Sequence, residues 1–171
     1  MQFLVRTRKR GVWWISKSIW NILSVALFYL IGIFVAFIFS ILLGDGSFAF
    51  HQEITLFVSE FSSSAGYAQT LAVVLILPFL TSAAMAAFQM MLNFVLRPVY
   101  GYMIVTAIFL ASAYYNTPFL PGNYSMLLRS EIALAGGVDT LYAVLADVAI
   151  LCASFFIGLI YFRRYDILQK D

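Results

Sequence analysis

The uncharged run from Ser18 to Gly44 constrains this chain more than any other feature of its sequence. As an α-helix the run would be about 40 Å long at roughly 1.5 Å per residue, which exceeds the roughly 30 Å of a bilayer hydrocarbon core. Basic residues precede it, as in a signal peptide, but the apolar region of a signal peptide has only about 7–15 residues. The sequence therefore predicts a membrane-spanning helix here.

The composition of the whole chain agrees with a membrane protein. Of the 171 residues, 63% are hydrophobic and 11% are charged, whereas soluble domains have roughly 45–50% apolar and about 25% charged residues. Too few polar side chains remain to separate a folded core from water, so lipid must cover part of the surface. We predict an all-α integral membrane protein with one domain, residues 1–171.

Three further apolar segments bring the predicted number of transmembrane helices to four, at residues 18–44, 67–96, 99–115 and 140–162. Pro78 lies inside the second span, where a kink is expected rather than a break because neighbouring helices can satisfy the freed carbonyl. The second span also has a polar edge that predicts packing against other helices. Its members are Gln69, Thr81, Ser82, Gln89 and Asn93.

Two longer connections join these spans. In the outer loop, residues 45–66, aromatic and aliphatic residues recur at three- and four-residue spacing from Phe50 to Phe61, which is typical of an amphipathic helix in the membrane interface. Residues 116–139 contain two prolines, one arginine and many apolar side chains. That stretch is long for a plain loop, and it is predicted to be an outer re-entrant stretch that folds back into the interface.

The distribution of basic residues predicts the orientation. If the N-terminus is inside, nine of the ten Lys and Arg lie on the cytoplasmic side and only Arg129 lies outside. The positive-inside rule then places both termini in the cytoplasm. The arm of residues 1–17 is basic and contains Trp13 and Trp14, a composition that favours contact with an anionic leaflet over nucleic-acid binding. The nine inside residues are Arg6, Arg8, Lys9, Arg10, Lys17, Arg97, Arg163, Arg164 and Lys170.

Asp147 is the only charged residue inside a predicted span. Such a group costs about 2.5–3.5 kcal/mol on insertion scales, so it is a candidate functional residue. Three interpretations stay open: a structural pair or hydrated crevice with a partner such as Arg129, the wall of a polar pathway, or incidental placement. Arg129 with Glu131 is either a solvated pair or a gate contact. We take Asp147, Arg129, Glu131 and Asn123 as candidate pathway or gate residues.

Patterns that would indicate catalysis are missing from the sequence. There is no Gly-rich phosphate loop, no Ser/His/Asp set and no Cys/His cluster, and the chain has a single cysteine, Cys152, and a single histidine, His51. A membrane-embedded enzyme would need a catalytic pair facing one cavity, which Asp147 alone does not supply. We therefore expect no enzymatic activity, no cofactor and no metal site.

Several motifs resemble a known family. The order "RPVYGYMIVTAIFLASAYY" from Arg97, then "PFLPGNYSMLLRS", a glycine pair, an apolar span and "IGLIYFRRYDIL" resembles the C-terminal part of type-2 ABC transporter permeases. The N-terminal "RTRKRGVWWISK" is similar to the basic, tryptophan-containing segment that precedes the third span in many bacterial members. The four predicted spans then correspond to the third to sixth of the family's six, and the first two have no counterpart here.

The resemblance implies a role in transport. Such permeases pair as two halves with two cytoplasmic ATPase subunits and export lipid-linked sugars, peptides, lipids or drugs. It implies an exporter subunit in the bacterial cytoplasmic membrane, with a second permease polypeptide or a homo-oligomer as partner. A small four-span accessory or scaffold subunit of another membrane complex is the alternative. The candidate ATPase-contacting residues are Arg6, Arg8, Lys9, Arg10, Trp13, Trp14, Lys17 and Arg97.

Overall fold

The computed structural model describes residues 10–43, 70–133 and 136–164, and within these residues the chain is helical and contains no strand. A single isolated bridge joins Ser130 and Val138. The described residues form four long α-helices: α1 (Arg10–Leu43), α2 (Leu77–Val95), α3 (Pro98–Tyr114) and α4 (Thr140–Arg164).

Within the part of the chain that the structure describes, three helical stretches are long and apolar enough to cross a membrane: Gly11–Leu42, Val73–Val95 and Thr140–Arg163. These stretches confirm the first, second and fourth predicted spans as helices of spanning length. The third predicted span forms α3, which has 17 residues and a length of about 25 Å at 1.5 Å per residue. That length is at the lower limit for a transmembrane helix.

The helical path continues through Pro78, as expected for a proline within a span. A short π-helical turn, Ala72–Ile76, directly precedes α2, and Pro78 occupies the first turn of α2. Proline has no N–H to donate to the preceding turn and its ring crowds that turn. A π turn widens the backbone locally, so its position immediately before Pro78 accommodates the proline without ending the helix.

The predicted cytoplasmic arm, residues 1–17, is described from Arg10 onward, and this part belongs to the first helix. Helix α1 begins at Arg10, because Trp14 and Ser18 are buried against the rest of the bundle and this packing favours a helical start. The predicted interfacial helix in the outer loop lies among residues 44–69, outside the described part of the chain.

Helix α2 is the centre of the bundle and contacts α1, α3 and α4. It can pack on several sides because alanines line its buried surface, among them Ala83, Ala84 and Ala87, and small residues let helix backbones approach closely. Helix α1 lies at the periphery. The most apolar part of α1 contains no buried residue, so its large side chains face lipid or another protein.

The connecting segment, residues 116–139, folds against one end of this bundle. It contains two short 3₁₀ turns, Pro121–Ser125 and Leu127–Arg129. Proline and glycine at the first turn favour this tight geometry over a longer helix. Its buried side chains form a small hydrophobic core with α2, α4 and the π turn. The members of that core are Val73, Leu77, Tyr124, Ile132, Val138 and Ala143.

Candidate functional site

An aromatic cluster joins the start of α1 to the ends of α2 and α4. Trp13 stacks on Phe162 with ring centroids 4.9 Å apart and meets Phe94 edge-on at 5.7 Å. Trp14 meets Phe94 edge-on at 5.3 Å. Stacked and edge-to-face geometries are the favourable ones for aromatic pairs. We call this end of the bundle, defined by Trp13, Trp14, Phe94 and Phe162, the aromatic end.

Trp14 is held in this cluster by a close fit against α4. Its side chain is fully buried, and its indole Nε1 donates a hydrogen bond to the backbone carbonyl of Phe155 at 3.1 Å. The ring lies directly on Gly158, where a Cβ atom would overlap the indole. Only glycine at this position lets α1 and α4 approach so closely, which explains the glycine that the sequence motif placed near the end of the last span.

Four of the predicted ATPase-contacting residues meet at the aromatic end. Trp13 and Trp14 are in the cluster, and the ammonium group of Lys17 lies 5.8 Å from the centre of the Trp13 ring, within the range of a cation–π contact. Arg97 is exposed in the turn between α2 and α3 and borders an open pocket of about 480 Å³ that also reaches Tyr161.

The remaining predicted contacts are not placed by the structure. Arg6, Arg8 and Lys9 lie outside the described residues, and of Arg10 only the backbone position at the start of α1 is described.

Arg129 binds the end of α3. Its guanidinium donates to the backbone carbonyls of Ser112, Ala113 and Tyr115, the last two at 2.8 and 3.3 Å, and to the side-chain oxygen of Asn123. The Asn123 amide in turn donates to the Tyr115 carbonyl at 2.9 Å. The last carbonyls of a helix have no hydrogen-bond donor within the helix. The side chains of Arg129 and Asn123 supply the missing donors. We call this end of the bundle, where the connecting segment lies, the connecting end.

Arg129 contacts neither of the two carboxylates considered as its partners in the sequence. It does not partner Asp147, whose single hydrogen bond is to Thr81. It does not form the expected pair with Glu131 either, because its guanidinium is occupied by the carbonyls at the end of α3. Glu131 is exposed, and its carboxylate accepts a long hydrogen bond of 3.4 Å from the backbone N–H of Thr140. A gate role for Arg129, Glu131 or Asn123 stays a prediction.

Asp147 lies inside the bundle at the contact between α2 and α4. Its side chain is fully buried, and Thr81, itself 2% exposed, lies opposite. The Thr81 Oγ1 and Asp147 Oδ2 atoms are 2.6 Å apart, while Asp147 Oδ1 has no hydrogen-bond partner. In this conformation the carboxyl group therefore faces protein rather than an open crevice, and its role in a pathway stays a prediction.

A second polar contact, which the sequence did not indicate, joins α1 to α2. The hydroxyl of Tyr29 in α1 lies 2.9 Å from both the Pro78 carbonyl and the Ser82 hydroxyl. With the Thr81–Asp147 contact, this confirms for Thr81 and Ser82 that the polar edge of the second span packs against other helices. Tyr29 gave no signal in the sequence because a tyrosine in an apolar run is also typical of lipid-facing surfaces.

Tyr124 is a further residue that sequence reasoning missed. It is 3% exposed, and its hydroxyl donates to the Pro118 carbonyl at 2.6 Å. Burial, assisted by the neighbouring Tyr142, raises the pKa of Tyr124 to about 12. The hydroxyl therefore remains a hydrogen-bond donor at physiological pH and holds the connecting segment in its folded shape.

The described residues contain no group of three or more His, Cys, Asp or Glu side chains that would hold a metal ion. No curated protein and no solved structure matches this chain. A family model with the description "Protein of unknown function (DUF2705)" matches residues 1–168, which include all the described residues of the helical bundle, and the chain therefore belongs to that family.

Proposed function

We propose that this protein is the membrane-spanning permease subunit of an ABC-type exporter and works with a separate cytoplasmic ATPase. In this proposal it lies in the bacterial cytoplasmic membrane with four spans and both termini in the cytoplasm. A second permease polypeptide, or further copies of the same chain, would complete the transport pathway. The sequence motifs that resemble type-2 ABC permeases suggested this function.

The observation that best supports the proposal is the convergence of separate segments at the aromatic end. The start of α1, the turn at Arg97 and the end of α4 lie at one end of the bundle, although they are far apart in sequence. Lys17, Arg97 and Arg163 are exposed there. A partner that moves on ATP binding and hydrolysis needs such a place, where several helices can be pushed together.

A mechanism follows from the packing. Force applied at Trp13 and Trp14 would be transmitted to α4 through the contact with Gly158 and to α2 through Phe94. Helices α2 and α4 make the largest contact in the bundle, so a change in their packing is the natural two-state element. Transport would then be a shift in population between two arrangements of these helices.

The connecting segment would form the outer part of the subunit. Its core of Tyr124, Ile132 and Val138 packs on α2 and α4. Movement of these two helices at the aromatic end would therefore also displace the connecting segment. In the proposed orientation this segment is the outer re-entrant stretch. The pocket of about 470 Å³ between Phe119, Asp139 and Tyr142 would open toward the outside.

The proposal is tested by purifying the tagged chain from its native membrane in a mild detergent and identifying co-purified proteins by mass spectrometry. We expect an ATPase with a P-loop. Arg97→Glu should reduce its recovery, whereas Glu131→Lys, a charge change of equal magnitude and opposite sign at the connecting end, should not. Recovery of the intact protein without any ATPase would refute the exporter function.

The accessory or scaffold function is favoured by one observation, the exposed surface of α1. Its most apolar stretch has no buried residue, and such a helix offers a large face to another membrane protein. Recovery of an unrelated membrane complex in the same experiment, with no ATPase, would support this alternative.

A further inference from the structure

The contact between Asp147 and Thr81 is the most unusual feature of the bundle interior. Asp147 is the eighth residue of α4, about 10 Å along the helix from Thr140. Its side chain has no exposed surface. An ionised carboxylate in such a place is costly unless charges or several hydrogen-bond donors surround it.

The surroundings of Asp147 do not supply those donors. Asp147 Oδ1 has no partner, and Oδ2 is bonded only to Thr81 Oγ1. The described basic side chains are elsewhere, since Arg129 is occupied at the end of α3 and Lys17 is at the aromatic end. An ionised Asp147 would thus hold a full negative charge on a single hydrogen bond.

The number of hydrogen atoms available for these contacts favours a protonated Asp147 over an ionised one. Thr81 Oγ1 is 2.6 Å from Asp147 Oδ2 and 3.0 Å from the Leu77 carbonyl, but a hydroxyl has only one hydrogen to donate. If Asp147 carries a proton on Oδ2, that proton is donated to Thr81 Oγ1. The Thr81 hydrogen is then free to be donated to the Leu77 carbonyl. Both contacts are satisfied and no charge is buried.

Other ionisable groups near Asp147 supply no further hydrogen bond or positive charge to its carboxyl group. Tyr124, from the connecting segment, donates its hydroxyl to the Pro118 carbonyl. Tyr142, on α4 itself, is exposed and packs edge-on against the Tyr124 ring. The described part of α2 contributes Thr81 and no charged side chain.

We propose that Asp147 is a proton-binding site that joins α4 to α2 only while the proton is bound. On release, the carboxylic O–H bond breaks, the proton passes to water, and the carboxylate that remains must be hydrated. Hydration requires α2 and α4 to separate at Thr81. The packing of these two helices is therefore linked to pH, whether the protein is an exporter subunit or a scaffold.

The sign of this linkage is fixed by the number of bound protons. In the unfolded chain an aspartate loses its proton near pH 4, whereas the folded bundle retains it. The folded state therefore binds one more proton at neutral pH, and its stability falls as the pH rises. At the limit, the unfolding equilibrium constant increases about tenfold per pH unit.

The test is thermal unfolding of the purified full chain in a mild detergent between pH 5 and pH 9. Asp147→Asn replaces the acid by a neutral amide that can still donate to Thr81. We expect the wild-type protein to lose stability with rising pH more steeply than this variant. Asp139→Asn, which removes an exposed carboxylate from the residue directly before the same helix, serves as the control and should follow the wild-type curve.

Infrared spectroscopy of the wild-type protein provides a second measurement that does not depend on the folding of any variant. Asp147 should give the carbonyl stretch of a protonated carboxylic acid at pH 7, shifted when all aspartates are labelled with ¹³C. Parallel pH curves for the wild type and Asp147→Asn would overturn the proposal, and so would the absence of the carboxylic acid band.

Discussion

Replacing Gly158 by alanine tests the joint between α1 and α4. A Cβ at this position would overlap three atoms of the Trp14 ring, and Trp14 is fully buried. The ring has no free space into which it can move while the helices keep their positions. Gly158→Ala must therefore push α1 away from α4 or expel the indole from the aromatic end.

The size of the effect follows from the contacts that the indole makes. Its hydrogen bond to the Phe155 carbonyl contributes about 0.6–1.5 kcal/mol, and its ring contacts with Phe94 and Phe162 contribute about 0.5–1.5 kcal/mol each. Together the loss is about 2–4 kcal/mol. Alanine is preferred to glycine within a helix by about 1 kcal/mol, so the net loss of stability should be about 1–3 kcal/mol.

Thermal unfolding in a mild detergent measures this loss, with Gly32→Ala as the matched control. A Cβ at Gly32, on the exposed face of α1, meets no atom within 4 Å, so that substitution should be neutral or slightly stabilising. In a Trp14→Ala background the cost of Gly158→Ala should disappear, because the clashing ring is gone. An equal cost in both backgrounds would refute the proposed joint.

Three further predictions concern the connecting end and the orientation. Arg129→Lys keeps the charge, but a lysine ammonium cannot bind several carbonyls at once. This substitution should destabilise the bundle by about 1.5–3 kcal/mol in the same unfolding assay. An unchanged melting temperature would contradict the role of Arg129 at the end of α3. Tyr124→Phe removes a buried hydrogen bond worth about 1 kcal/mol. Because the pKa of Tyr124 is raised from 10.0 to about 12, the wild-type advantage over this variant should be constant below pH 10 and shrink as the pH rises toward 12. In a Cys152→Ser background, an impermeant maleimide should label Phe119→Cys in intact cells and Leu96→Cys only after permeabilisation. Labelling of both from the same side would contradict the four-span topology.

The helices could be predicted because they follow from the length and hydrophobicity of contiguous segments of the sequence. A long uncharged run such as 18–44 has few alternatives in a chain of this composition, and the polar edge of α2 indicated which side packs inward. The start of α1 was not predictable in this way. Residues from Arg10 onward are helical because Trp14 packs on Gly158, and no local pattern connects two residues that lie so far apart in sequence.

The sequence drew attention to several of these polar residues but did not indicate which of them contact one another. Asp147 stood out as a charge within a span, and Thr81 as a polar residue in another span, yet nothing in the sequence indicates that they meet. Arg129 was expected near a carboxylate, since opposite charges attract. In the structure its guanidinium instead binds the carbonyls at the end of α3, which have no partner within the helix. Several of these carbonyls lie within hydrogen-bonding distance of the one guanidinium. Such competition depends on where a helix ends in space.

The two ends of the bundle differ in how their charges are used. At the connecting end α3 finishes and α4 begins, which places a partial negative and a partial positive helix-dipole charge close together. Arg129 offsets the partial negative charge at the end of α3. Asp139 offsets the partial positive charge at the start of α4, where its carboxylate accepts a hydrogen bond from the Leu141 N–H at 2.7 Å. At the aromatic end, by contrast, Arg97 is exposed in the turn between α2 and α3, and its charge is available to a partner. Binding at the aromatic end should therefore weaken as salt is added, while recognition at the connecting end should depend little on ionic strength.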